Sequence, residues 1–272
     1  QLLEQSVIHA DETVVQVLKE DGKPATSESR MWLYASGEHS KNHVRIFEYQ
    51  PDRSGKRPKS FLKGFTGCLV TDGYAGYNQV AKVTHCGCWA HARRKFVDAM
   101  KENERLASEA LVYIGDLYHI ETLTAEMTNE ERKKKRREMA YPQIIKFEEW
   151  MQMKYFDPSM GPLMRTAIEY TFKRLPKLSM YVNDGSWHID NNGVENAIRP
   201  LAVGRKSYLF CGSDASAVRA SMIYSFIATC KAAGIEPREW FEDVIRRIPE
   251  YENGKADVTH LLPKNWKASS KL

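Results

Sequence analysis

Residues 100 to 184 carry no strand-like alternation, although strand-like runs lie on both sides of them. They hold the charge run ERKKKRRE at 131 to 138, are punctuated by Pro142, Pro158, Pro162 and Pro176, and read as three or four helices. A chain with strands before and after such a stretch is α/β, with a sheet flanked by helices and interrupted by a helical insertion. The organisation expected is a first part of the core over 1–99, a helical insertion over 100–184, a second part over 185–235, and a helical C-terminal segment and tail over 236–272.

The strands before the insertion are short-linked. SVIHADETVVQVLK (6–19), RMWLYAS (30–36) and HVRIFEY (43–49) are rich in β-branched and aromatic residues, and DGKP at 21–24 is a turn between the first two. Such links suggest an antiparallel meander. A short helix is expected over 60–65. GCLVT (67–71) is a continuous apolar run, as in a buried strand, and KVTHCGC (82–88) is another short strand. The pattern turns helical from Trp89. After the insertion, Val194, Ala197, Ile198 and Leu201 recur at three- and four-residue steps, which predicts a helix that Pro200 would strain or kink. A short strand or hairpin arm is expected over 207–213. Helices are expected over 215–233, closed by Gly234, and over 237–248, followed by a docked tail and a frayed end.

Composition narrows the function classes. The chain has 272 residues, 42% of them hydrophobic and 28% charged, so it can bury a sizeable core. A net charge of +5 is compatible with nucleic acid without being diagnostic. Five cysteines, an odd number, point to reduced thiols rather than a disulfide scaffold. No apolar run approaches the ~20 residues of a membrane span and no signal peptide opens the sequence, so a cytoplasmic setting is expected. The first residue, Gln1, is expected for a fragment or a processed product.

Three acids stand out by position. Asp11 lies in the first strand, Asp72 at the end of a buried strand and Glu195 near the start of the late helix. Carboxylates on three separated elements meet only through the fold, and oxygen ligands of this kind suit Mg²⁺ at a phosphate-transfer site. Three strands, a helix, a further strand and a late acid-bearing helix follow the order of an RNase H-like domain, although Asp at a strand end is also common in turns. Glu12 competes with Asp11, since adjacent strand residues point to opposite faces. Asp190 competes with Glu195 but reads better as a helix cap.

The strings HADETVVQVL, LVTDGYAGYN, CWAHARRKF, DNNGVENAIRPLAVGRKSYLFCGS and TCKAAGIEPREWFEDVIRRIP with LLPKNW together resemble the insertion sequence 66 family of bacterial transposases, in matching order over most of the chain. DNNGVENAIRP is the most specific of them. The resemblance implies an RNase H-like mixed sheet and an Asp-Asp-Glu (DDE) triad mapping to Asp11, Asp72 and Glu195. It implies two Mg²⁺ or Mn²⁺ ions, cleavage and strand transfer at transposon ends, and a helical domain ahead of the Glu195 helix. Transposon-end and target DNA, a homo-oligomer on DNA and accessory transposon proteins are the partners it suggests, with no membrane. It further implies DNA-binding and zinc-binding segments ahead of the first catalytic strand. None is read in this sequence, so specific recognition of transposon ends is not expected of these residues alone. A nuclease that does not join ends, and a catalytically silent DNA-binding or assembly module, are the alternatives.

Several basic and aromatic positions complete the reading. Arg199, one helical turn after Glu195, with Arg205 and Lys206, suits phosphate binding. Arg93, Arg94 and Lys95, beside Trp89 and His91, form a second basic patch for the DNA backbone. Tyr74 and Tyr77 suit either base stacking or core packing. Cys86, Cys88 and His91 lack the spacing of a zinc site and read as buried thiols near a structural histidine. The ERKKKRRE run reads as a solvated helix face.

Overall fold

A computed structural model describes residues 1–158, 160–251 and 257–267. The protein is mixed α/β, with a six-stranded mixed sheet. The strands are β1 (Val7–Lys19), β2 (Glu28–Ser36), β3 (Arg45–Gln50), β4 (Cys68–Val70), β5 (Thr84–Cys86) and β6 (Cys211–Ser213). The helices are α1 (Lys56–Phe61), α2 (Trp89–Ala99), α3 (Glu104–Leu123), α4 (Asn129–Lys135), α5 (Tyr141–Lys154), α6 (Pro162–Leu178), α7 (Asn192–Tyr208), α8 (Asp214–Ala232) and α9 (Pro237–Tyr251). The strand order is β3-β2-β1-β4-β5, with β6 also on β1. The chain divides into two compact units, and β1 contributes to both.

The first unit comprises 1–5, 10–57 and 193–272. Gly22, at φ +72°, forms the tight turn after β1, closed by an antiparallel bridge between Glu20 and Lys23. β2 and β3 pair antiparallel, from Arg30 opposite Gln50 to Ala35 opposite Arg45. The end of β1 pairs parallel with β6, Val17 opposite Cys211. β3 receives hydroxyl groups from α8: Ser225 Oγ accepts the Phe47 N–H at 2.8 Å, and Thr229 Oγ1 accepts the Arg45 N–H at 3.1 Å. Those bonds occupy strand groups that would otherwise be open to another chain. Helix α7 buries Val194, Ile198 and Leu201 with Val15, Val17, Met31 and Leu33; each such side chain is worth about 1.5–3 kcal/mol when fully buried. The helix continues through Pro200 to Tyr208, past the point where strain or a kink is expected. The tail docks as expected, with Trp240 Nε1 donating to the Leu261 carbonyl at 2.9 Å and Trp266 Nε1 to Asp243 at 2.7 Å. The frayed end expected after it falls partly on 268–272, outside the described residues.

The second unit comprises 6–9 and 58–192. Here β1, β4 and β5 run parallel, with Ile8 opposite Leu69 and Leu69 opposite His85. From α2 to α6 the described residues contain no strand. These helices close on Phe96, Ile114, Leu117, Phe147, Ile168 and Leu178.

The charge run departs from its reading. Arg132 and Arg136 are only 5% and 2% exposed. Arg132 Nη1 donates to the Gly185 carbonyl at 2.9 Å and its Nε to that of Thr124 at 3.1 Å. Arg136 grips both Glu121 oxygens, at 2.8 and 2.5 Å, and donates to the carbonyls of Tyr181 and Asp184. Residues four apart lie on one helix face, and here that face is turned into the protein. Composition alone marks the whole run as solvated because it cannot show the carbonyls waiting at 181–185.

Candidate active site

β1 sets the position of the first acid. Val15 and Val17 share a core with Val194, Ile198 and Leu201 of α7. The two-residue period of a strand continues their row through Thr13 to Asp11. Thr13 Oγ1 accepts a hydrogen bond from Arg205 Nη1 at 2.9 Å, and the Val14 carbonyl accepts another from the same nitrogen. Helix α7 therefore lies along the face of β1 that carries Asp11. Asp11 is half-buried, and its Oδ1 accepts the Glu12 N–H at 2.8 Å. Glu12 has the opposite parity and is gripped by Arg53, at 2.6 Å from Nε and 2.5 Å from Nη2.

On α7 itself, Glu195 is half-buried between buried Val194 and exposed Asn196, while Arg199 and Lys206 are exposed. Arg205 is the exception among the three cations assigned to phosphate. Its guanidinium holds β1 through Thr13 and Val14 rather than facing solvent.

The third acid belongs to the second unit. Cys68, Leu69 and Val70 are fully buried, which ends β4 at the surface of its core and delivers Asp72 half-buried just beyond it. Asp72 Oδ1 accepts the Tyr74 N–H at 2.8 Å, an Asx turn. Its carbonyl accepts from Tyr170 Oη at 3.1 Å, and Arg174 lies 3.8 Å over the Tyr170 ring. Burial pushes the Tyr170 phenol above its ordinary range, so it stays a donor. Gly73 has φ +96°, and a Cβ there would fall 2.6 Å from Arg174 Nε, so the turn that aims Asp72 needs glycine twice over.

Sequence reasoning missed a buried polar cluster in the second unit. His9 Nδ1 lies 2.9 Å from Asn191 Oδ1, both residues are buried, and the amide oxygen requires the proton to sit on Nδ1. His188 packs edge-on against His9, with ring centroids 4.8 Å apart. The Asn191 N–H donates to Cys88 Sγ at 3.3 Å. Asp190 is engaged just ahead of α7, two residues before its first helical residue: Oδ1 accepts the Asn192 N–H at 3.0 Å, and Oδ2 accepts from Asn192 Nδ2 at 2.7 Å and from Tyr118 Oη at 2.8 Å. Burial, then the Asp190 carboxylate, raises the Tyr118 phenol well above its ordinary range. The parity of His9 and Asp11 in one strand was the available signal for the first of these.

The second basic patch splits. Arg93, Arg94 and Lys95 are exposed on α2. Trp89 is fully buried, its Nε1 donating to the Leu178 carbonyl at 2.8 Å, and offers nothing to DNA. Tyr77 is likewise fully buried, which removes it from base stacking; Tyr74 is half-buried. All five cysteines are buried free thiols, with Cys68 and Cys86 Sγ atoms 2.9 Å apart.

Comparison with known proteins bears on this geometry. The family model described as Transposase IS66 family matches residues 1–219, and that described as IS66 C-terminal element matches 225–263. Uncharacterized protein y4hP of Sinorhizobium fredii (strain NBRC 101917 / NGR234) is 29% identical over 97% of this chain and 51% of its own length. Uncharacterized protein y4qI of the same strain is 27% identical over 96% of this chain and 51% of its own length. The chain thus spans about half the length of these curated relatives. No helix among the described residues is long and apolar enough to cross a membrane.

Proposed function

The chain belongs to the IS66 transposase family, and from that membership we propose that it forms the catalytic core of a DDE transposase, cleaving DNA at transposon ends and joining the freed ends to target DNA. The family match over residues 1–219 carries the reading. The packing of α7 along the Asp11 row of β1 supports it, because the helix bearing Glu195 and the strand bearing Asp11 are then parts of one core. An RNase H-like fold is in keeping with the parallel β1-β4-β5 pairing, and a helical insertion with the run of helices α3–α6.

Asp11, Asp72 and Glu195 are the acids proposed to act. Three carboxylates are hard oxygen donors of the kind that suits Mg²⁺ or Mn²⁺. Asp72 commits one oxygen to the Tyr74 N–H and enters no ion pair among the described residues. When bound there, two such ions supply Lewis-acid activation of a water or 3′-hydroxyl and stabilisation of the leaving oxygen. The protein's part is positioning. The Asx turn at Asp72 and the Gly73 backbone fix one carboxylate, and the Arg205 bonds to β1 fix the helix that carries another. Arg199 and Lys206, exposed on that helix, are placed to hold backbone phosphates, and Arg93, Arg94 and Lys95 offer a second basic surface. Assembly as a homo-oligomer on DNA, with accessory transposon proteins and in the cytoplasm, completes the proposal.

Asp72→Asn tests it directly. Asn keeps the oxygen that accepts the Tyr74 N–H, so the turn should survive. Mg²⁺-dependent strand transfer into target DNA should fall by about 10²–10³-fold, the scale of losing a charge-stabilising group in a polar reaction, with DNA binding retained. Undiminished strand transfer would refute the assignment. Cleavage without joining by the unmodified protein would identify a nuclease instead.

A further inference from the structure

Within the first unit, a cleft of about 260 Å³ opens between α7 and α8. Its apolar walls include Ala197, Pro200, Ile227 and Ala228, and its polar groups include Arg45, Asn196 and Lys231. This side of α7 is distinct from the one that carries Arg199, since Asn196, Ala197 and Pro200 follow one another at helical spacing one residue out of step with Glu195 and Arg199.

Arg45 is the unusual member. It sits on β3, where its backbone N–H and carbonyl are both taken by Thr229 Oγ1 at 3.1 Å, so the chain holds it firmly. Its guanidinium is half-buried and makes no hydrogen bond or ion pair among the described residues. Burial lowers its affinity for the proton, an effect offset in part by Glu38. Glu38 is itself exposed and lies at the Gly193 end of the cleft, its Oε1 2.5 Å from where a Gly193 Cβ would stand. Lys231, exposed in the last turn of α8, and the Asn196 amide make no side-chain bond among the described residues either. A guanidinium drawn partly out of water loses hydration, and an unmatched cation in that position is costly until an anion meets it. A guanidinium with five N–H donors, an ammonium and an amide among the residues lining a cleft of this size suit the oxygens of one phosphate.

We infer that the Arg45–Asn196–Lys231 cleft is a phosphate-binding site that takes a single backbone phosphate of DNA, the aliphatic wall lying against the adjoining sugar. The source of that phosphate rests on the transposase reading above; the anion site itself rests on the cleft. It adds a grip on DNA on a second side of the helix that bears Glu195.

The test is the salt dependence of binding of a short duplex to the full chain, for the unmodified protein and for Arg45→Gln, Lys231→Gln and the double variant, with isothermal titration of inorganic phosphate in parallel. One phosphate contact contributes about one unit to the slope of log affinity against log salt. Each single variant should flatten the slope by about that much and the double variant by no more, since both cations serve one phosphate. Glu38→Gln should tighten binding. If the unmodified protein binds DNA and neither single variant changes the slope, the site is overturned while the transposase reading stands. Flattening by about two units in the double variant overturns a single shared phosphate. If the unmodified protein does not bind DNA, the transposase reading fails separately. Phosphate heat that is lost in Lys231→Gln then upholds the cleft with free phosphate as its ligand, and absence of heat in the unmodified protein overturns it. Should Arg45→Gln not fold, the exposed Lys231 carries the comparison alone.

Discussion

His9 Nδ1 meets Asn191 Oδ1 at 2.9 Å inside the second unit, so a strand residue two places before Asp11 is bonded to the residue that immediately precedes α7. Asn191→Ala leaves the buried His9 N–H without that acceptor. A loss of about 1–3 kcal/mol is expected, the usual cost of an unsatisfied buried donor. Thermal or urea unfolding reads it. Adding His9→Phe should cost less than the sum of the single changes, because the two residues share one interaction.

Arg205 and Arg199 should separate cleanly although both lie on α7. Arg205→Ala removes the bonds to Thr13 and Val14 and should destabilise the protein by about 1–3 kcal/mol, with the salt slope of DNA binding unchanged. Arg199→Ala should leave the melting temperature in place and flatten that slope by about one unit. A melting curve and a salt titration on each variant decide the matter, and the reverse pattern would exchange their roles.

Arg136 is a structural cation. Truncation by Arg136→Ala strands Glu121 and two carbonyls, and breaking a largely buried pair costs about 3–5 kcal/mol. Lys134→Ala, two residues away on the exposed side, should change stability by less than about 0.5 kcal/mol. Equal effects in denaturant unfolding would return the whole run to solvent.

Glu20 should tie stability to pH. Burial pushes its carboxyl up, but hydrogen bonds from Tyr49 at 2.7 Å and Ser29 at 2.9 Å, with Lys23 beside it, outweigh burial and hold it below its ordinary 4.5. A depressed carboxyl stabilises the fold above the unfolded-state value and loses that contribution as pH falls through the folded one. Glu20→Gln should therefore be less stable than the unmodified protein near neutral pH, with the gap closing in acid below that ordinary value. A pH series of melting temperatures checks it; a gap that widens in acid contradicts the network.

Much of the secondary structure was legible because it follows from local pattern. The alternation of TVVQV marks β1, the continuous apolar run at 67–71 marks β4, and Val194, Ile198 and Leu201 mark the buried face of α7. The family strings carried the acids Asp11, Asp72 and Glu195. The limits of α7 were less clear: Pro200 argues locally against a helix, yet Leu201 directly after it is buried in the core and the helix runs on.

By itself, the sequence determined which residues are acids, cations and core, in what order, and to which family they belong. It did so because periodicity and motif spacing are properties of neighbours along the chain. Only the tertiary structure decided which charges are engaged within the protein. Arg132, Arg136 and Arg205 resemble Arg199 in one dimension. The first two meet main-chain carbonyls at 124 and 181–185, and the third meets β1, while Arg199 stays in water. Trp89 and Tyr77 went to the core, and His9 found Asn191, for the same reason. Their partners lie far away in sequence, and a buried polar group is settled by whichever partner the fold brings within hydrogen-bond reach.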